Sequence, residues 1–224
     1  MIYALFVGGS AFLIALVIGA FIVPALHRRR LGKVISDEGP TTHHVKQGTP
    51  TMGGLLIYGT VAIVTVLTNI WEFENGGLVF ERRSILLPLV VVLYAMAIGF
   101  WDDLGTLTSI AGRRALSWRL KFGLIGALSV AVALILYYGL EVRSANVPWA
   151  GQYDLGPVYI AIAIITVFAT TSAVSITDGL DGLLGGTAAI AFAAYAVISF
   201  GQGQEFLATF SFTVVGALLG FLWY

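Results

Sequence analysis

Four carboxylates stand where apolar runs give out. Asp102 and Asp103 follow Ala97-Ile98-Gly99-Phe100-Trp101, and Asp178 and Asp181 lie in the run Thr177-Asp178-Gly179-Leu180-Asp181-Gly182. A charge at the edge of a membrane span is costly unless a metal ion, a charged substrate or a counter-charge stabilises it. Carboxylate oxygens suit Mg²⁺, a hard cation that takes one or two carboxylates and completes its shell with water and substrate phosphates. The chemistry these residues point to is a Mg²⁺ site at a membrane face. Helix positions three apart share a face, so Asp178 and Asp181 can converge if their segment is helical. The glycines around them fit a turn or a broken helix instead, which lets backbone come close to a ligand. Neighbours such as Asp102 and Asp103 diverge, so at most one is expected to hold a metal while the other faces substrate or a basic partner. A solvated loop acid is the plainer reading of any single carboxylate here. Two pairs, one framed by glycines, weigh against it, although for one of Asp102 and Asp103 a polar stop to the preceding span is an equal alternative.

Basic and hydroxyl side chains complete the candidate set. Lys121 sits near the start of a later apolar run, where it either contacts phosphate as a point charge or snorkels to the interface. Thr49-Pro50 reads as a helix N-cap followed by proline at the first helical position. The free N–H groups of such a helix start favour an anion, with Lys46 and Thr51 as polar neighbours, though the local pattern does not exceed a plain capped helix.

The elements that must position these residues are membrane helices. The chain of 224 residues is 58% hydrophobic and 11% charged, with 12 basic and 12 acidic residues and no cysteine. A soluble domain is nearer 45–50% apolar and ~25% charged. The zero net charge gives no general attraction to nucleic acid, and thiolate chemistry and disulfides are excluded. A span needs about 20 apolar residues, and roughly seven segments qualify: Ile2–Leu26, Met52–Ile70, Ser84–Trp101, Phe122–Leu140, Leu155–Thr177, Leu183–Phe200 and Phe206–Tyr224. Gly185-Gly186 and many alanines weaken the sixth. The first lacks the basic leader of a cleavable signal and is read as a retained span.

Basic residues orient the bundle. Arg28, Arg29, Arg30, Lys33 and Lys46 follow the first span, and Arg113, Arg114, Arg119 and Lys121 follow the third, against Arg82, Arg83 and Arg143 in the opposite loops. The bias places the N-terminus outside and all four aspartates on the cytoplasmic face. Trp71, Trp101, Trp118, Trp149 and Trp223 fit interfacial belts, and Arg28-Arg29-Arg30 fits attraction to anionic headgroups. The expected fold is all-α, a polytopic transmembrane bundle forming a single integral membrane domain.

Together, His43-x-x-Lys46-x-Gly48-Thr49-Pro50-Thr51-Met52-Gly53-Gly54, Asp102-Asp103 and Thr177-Asp178-Gly179-Leu180-Asp181-Gly182-Leu183 resemble the phospho-N-acetylmuramoyl-pentapeptide transferase family of the polyprenyl-phosphate N-acetylhexosamine-1-phosphate transferase superfamily. The first motif is the most specific. The resemblance implies about ten helices, of which about seven are present, with the site on the cytoplasmic face of a bacterial plasma membrane. It implies Mg²⁺-dependent transfer of phospho-N-acetylmuramoyl-pentapeptide from its UDP-linked donor to undecaprenyl phosphate, releasing UMP, in peptidoglycan synthesis. It assigns Asp102, Asp103, Asp178 and Lys121 to catalysis, Asp178 and Asp181 to the metal, and His43, Lys46, Thr49, Thr51, Ser175 and Asp181 to substrate.

The chain departs from the family pattern where Leu104-Gly105-Thr106 follows the aspartate pair and where Ser172 and Ser175 replace asparagines. The family's later Met-Gly-Asp motif and histidine-rich loop would lie beyond Tyr224, so these residues alone are expected to be inactive. Direct transfer and a phospho-aspartate route through Asp102 or Asp103 both stay open. A homodimer is compatible with these features. The competing readings are a related transferase using another UDP-N-acetylhexosamine, a transporter using the aspartates as an ion path, and a fragment with a purely structural role. Clustering of the acids at one face, away from the bilayer midplane, disfavours the transporter.

Overall fold

The structure, a computed structural model, describes residues 1–28, 53–74, 83–107, 116–147, 151–177 and 182–224. Seven helices account for nearly all of it: α1 (Ile2–Arg28), α2 (Gly53–Glu74), α3 (Arg83–Leu107), α4 (Trp118–Leu134), α5 (Val158–Thr177), α6 (Leu183–Gly201) and α7 (Glu205–Leu222). Six carry apolar stretches long enough to cross a bilayer, and the shorter apolar helix among the described residues is Gly53–Asn69 in α2. The all-α membrane bundle expected from composition is what forms. The sixth span, weakened in sequence by Gly185-Gly186, is an unbroken helix of 19 residues.

Lipid tails are as apolar as leucine, so burial alone does not hold such helices together; close backbone packing does. The packing centre is α7, the most buried helix of the bundle. A β-carbon added at Gly216 would overlap the carbonyl oxygen of Gly8, and one at Gly220 would stand 2.5 Å from the β-carbon of Ala15. Gly216 and Gly220 are therefore the flat face against which α1 lies. Another face of α7 supplies Phe210, Val214, Ala217 and Leu218 to a core shared with Val61 of α2 and Ala189 of α6. Val7 and Ala11 of α1 close against Val64 of α2.

These contacts set the directions. Gly216 meets Gly8 and Gly220 meets Ala15, so α1 and α7 run parallel, with the Tyr224 hydroxyl donating to the Leu16 carbonyl at 2.6 Å just past the end of α7. Gly53 at the start of α2 and Gly185 near the start of α6 both lie against the end of α7, so those two helices run antiparallel to it. One end of the bundle thus gathers the C-terminal end of α7 and the starts of α2 and α6.

Three details depart from the sequence expectations. First, α3 does not stop at Trp101 but continues to Leu107, so Asp102 and Asp103 belong to its last turns instead of terminating it. Second, α4 passes into a π-helical turn over Ile135–Gly139 and then an antiparallel hairpin, β1 (Ser144–Val147) with β2 (Gly151–Asp154), pairing Ser144 with Asp154. Third, α5 begins at Val158 instead of Leu155. The Asp154 carboxylate accepts from the Gly156 N–H at 2.9 Å, and Gly156 takes a positive φ of 49°, forming a turn before the helix.

Candidate functional site

The Asp102-bearing end of α3 faces the start of α4. Ser117 caps α4, its hydroxyl accepting from the Leu120 N–H at 3.4 Å, a placement expected of a serine at an N-cap. One turn in, the Lys121 Nζ lies 2.7 Å from the Asp102 Oδ2, with the two side chains 31% and 24% exposed. The structure shows Lys121 in an ion pair with Asp102, which is neither the phosphate contact nor the snorkelling weighed for it from sequence. Deeper between the same helices, the Tyr94 hydroxyl donates to the Leu124 carbonyl at 3.3 Å.

Asp103 points elsewhere, as helical geometry requires of a neighbour. It lines a cleft of about 310 Å³ between α2 and α3, together with Gly54, Tyr58, Gly99 and Phe100. The second glycine of the Thr-Met-Gly-Gly run and the second aspartate of the pair therefore border one cavity. The two carboxylates serve different surroundings, one tied to a lysine and one facing the start of α2.

The remaining motif is located through its flanks. Phe122, next to Lys121, packs edge-on against Phe168 of α5 at 5.8 Å and, tilted by 43°, against Trp118 at 4.3 Å. Nine residues beyond Phe168, α5 ends at Thr177, about 14 Å further along at 1.5 Å per residue. Gly182 then opens α6 with φ 76°, a left-handed conformation that a side chain would strain. At α7, a β-carbon on Gly53 would meet the Phe221 ring at 2.5 Å, and one on Gly185 would meet Leu222 at 2.9 Å. Two consecutive residues of α7 thus hold the starts of α2 and α6 to one end of the bundle, the helices that follow the first and third motifs.

Ser175, expected to bind substrate, is exposed and donates to the Ser172 carbonyl of its own helix at 3.1 Å. His43, Lys46, Thr49, Thr51, Asp178 and Asp181 lie outside the described residues. Sequence reasoning passed over Phe221, Leu222 and Tyr94. The helical spacing of Gly216 and Gly220 marks a close-packing face in α7, but nothing in the sequence says which helices its end supports.

Acidic and basic side chains at one end of a bundle of apolar helices define an integral membrane protein with a polar site at a bundle end. A model of glycosyl transferase family 4 matches residues 85–224. Signature 1 of phospho-N-acetylmuramoyl-pentapeptide-transferase matches residues 46–57. Curated proteins of that name include one from Chloroflexus aurantiacus, 39% identical over 100% of this chain and 61% of its own length. One from Anoxybacillus flavithermus is 40% identical over 97% of this chain and 65% of its own. One from Lactiplantibacillus plantarum is 37% identical over 99% of this chain and 68% of its own. The chain therefore belongs to glycosyl transferase family 4, in its phospho-N-acetylmuramoyl-pentapeptide-transferase branch. It spans about 61% of the length of the first curated relatives it matches.

Proposed function

We propose that this chain takes part in transferring phospho-N-acetylmuramoyl-pentapeptide from a UDP-linked donor to undecaprenyl phosphate at the cytoplasmic face of a bacterial plasma membrane. A lipid phosphate oxygen attacks the sugar-bearing phosphorus of the donor. The bond to the UMP phosphate breaks, UMP leaves with the electron pair, and a lipid diphosphate carrying the sugar peptide forms. The observation that carries this reading is the Lys121–Asp102 pair at 2.7 Å beside a family motif that continues into α2. A phosphate monoester has a second pKa near 6, so the nucleophile is largely dianionic at pH 7 and needs little help from a general base. The larger obstacle is bringing two anions together, so the chain's main contribution is cationic placement. Lys121 and Lys46 would receive phosphate oxygens, and Asp102 would fix the Lys121 ammonium at the end of α3.

The donor set on offer, carboxylates without any cysteine, is the kind Mg²⁺ takes. Asp178 would hold the ion, with Asp181 as a second ligand or a contact to substrate; both lie outside the described residues. When bound, the ion would neutralise charge on the diphosphate as UMP leaves.

The test is UMP release, with undecaprenyl phosphate as acceptor, by membranes carrying this chain extended by the C-terminal part of a curated relative, the chain by itself being expected to release none. Release is expected with the muramoyl-pentapeptide nucleotide, and chelation of divalent ions is expected to stop it. Release only with UDP-N-acetylglucosamine would establish the related transferase instead. Release that Asp178→Asn leaves unchanged would remove the metal assignment.

A further inference from the structure

Two polar contacts cross the seam between α3 and α4. At the bundle end the Lys121 Nζ meets the Asp102 Oδ2 at 2.7 Å, and deeper in the seam the Tyr94 hydroxyl donates to the Leu124 carbonyl at 3.3 Å. Tyr94 precedes Asp102 by about two turns of α3, and Leu124 follows Lys121 by about one turn of α4. The earlier residue of one helix thus meets the later residue of the other, so the two helices run antiparallel. Apolar packing does little to fix them to each other, because α4 lies far more extensively on α5 than on α3.

Shape alone therefore determines the position of Lys121 weakly. A lysine has a flexible four-carbon stem and an ammonium that meets partners in many geometries. By itself the ion pair is a pivot about which α4 can slide or turn. A second contact about one turn deeper removes that freedom, and the Tyr94 bond suits the task. A carbonyl has two lone pairs, so the Leu124 oxygen can accept the phenol and keep its place in the α4 ladder. Hydrocarbon offers the phenol no partner from lipid, so breaking the bond leaves an unsatisfied hydroxyl, which costs more there than in water.

We infer that Tyr94 is a positioning residue: its hydroxyl fixes the register of α4 on α3 and so holds the Lys121 ammonium at Asp102. Tyr94 itself touches no reacting atom. Its consequence for turnover rests on the phosphate transfer proposed above, whereas its placing of Lys121 does not.

Acetylation of Lys121 by trace acetic anhydride, read by mass spectrometry against Lys33 of the same chain, measures that placement without any substrate. On the extended protein, Tyr94→Phe should raise the Lys121 rate about threefold, the factor that an interhelical hydrogen bond of average strength in a membrane supplies. The melting temperature should stay near that of the parent. Replacing Tyr94 by 4-aminophenylalanine, which keeps a donor on the ring, should restore the parental rate. UMP release should fall with Tyr94→Phe in the parent but fall no further in the Lys121→Met background. An unchanged Lys121 rate overturns the inference. So does a rise shared by Lys33, which would show general loosening, or an equal loss of UMP release in both backgrounds. If no variant releases UMP while Tyr94→Phe still raises the Lys121 rate, the transfer reading fails and the positioning role stands.

Discussion

Gly216→Leu should prevent α1 and α7 from packing and lower the melting temperature of the purified chain by ten degrees or more. A single β-carbon at that position would overlap the Gly8 carbonyl oxygen, so the nearest obstacle is backbone, which cannot rotate aside. Overpacking a tight interior by a few methylenes costs roughly 1–3 kcal/mol when side chains can give way, and more when they cannot. Against a total stability of about 5–15 kcal/mol for a typical protein, that loss is severe. Gly9→Leu is the control: nothing lies within 4 Å of a β-carbon there, and its melting temperature should stay near that of the parent. Gly216→Ala should fall between the two. A leucine variant that melts with the parent would show that the α1–α7 contact does not organise the bundle. The effect should also reach the site, because the same helix carries Phe221 against Gly53 and Leu222 against Gly185. If α7 is displaced, the starts of α2 and α6 lose their common support.

How much of this was legible beforehand follows from which forces act locally. The bilayer sets a minimum apolar length, so seven segments could be read from composition, and each holds a helix. Their ends were less certain. Charge usually marks the edge of a span and so predicts an end at Trp101, yet α3 runs on past the aspartates to Leu107. The hairpin between α4 and α5 went unseen because four-residue strands leave almost no periodic signal. The opposed directions of Asp102 and Asp103 were readable, since the helical period alone separates neighbours. The partners were not. That Asp102 meets Lys121 and Asp103 meets the start of α2 depends on which helices are adjacent, and apolar helices of similar length carry little information on that point. Phe221 and Leu222 illustrate the same limit: as apolar residues at a span end they look like any others, and only the glycines opposite give them a role.

The ion pair separates stability from function most sharply. Both side chains are about a quarter to a third exposed, so the pair should add no more than ~1 kcal/mol to folding. Asp102→Asn and Lys121→Met should therefore melt close to the parent. Their effect on UMP release should be much larger. Removing one pre-placed group that stabilises transition-state charge typically lowers turnover 10²–10³-fold, and Lys121→Met is expected in that range. If Asp102 works by holding the Lys121 ammonium in position, Asp102→Asn should lower turnover less, and the double variant should be no worse than Lys121→Met alone. Such non-additivity is the signature of two groups acting as one. Losses that multiply would instead show that Asp102 acts on its own, as a metal ligand or as a nucleophile in a phospho-aspartate route. Asp103→Asn supplies the comparison within the same turn of helix. Its carboxylate faces the α2–α3 cleft, so its loss should multiply with that of Lys121→Met. The divergence of two adjacent aspartates then becomes measurable, one coupled to the lysine and the other independent of it.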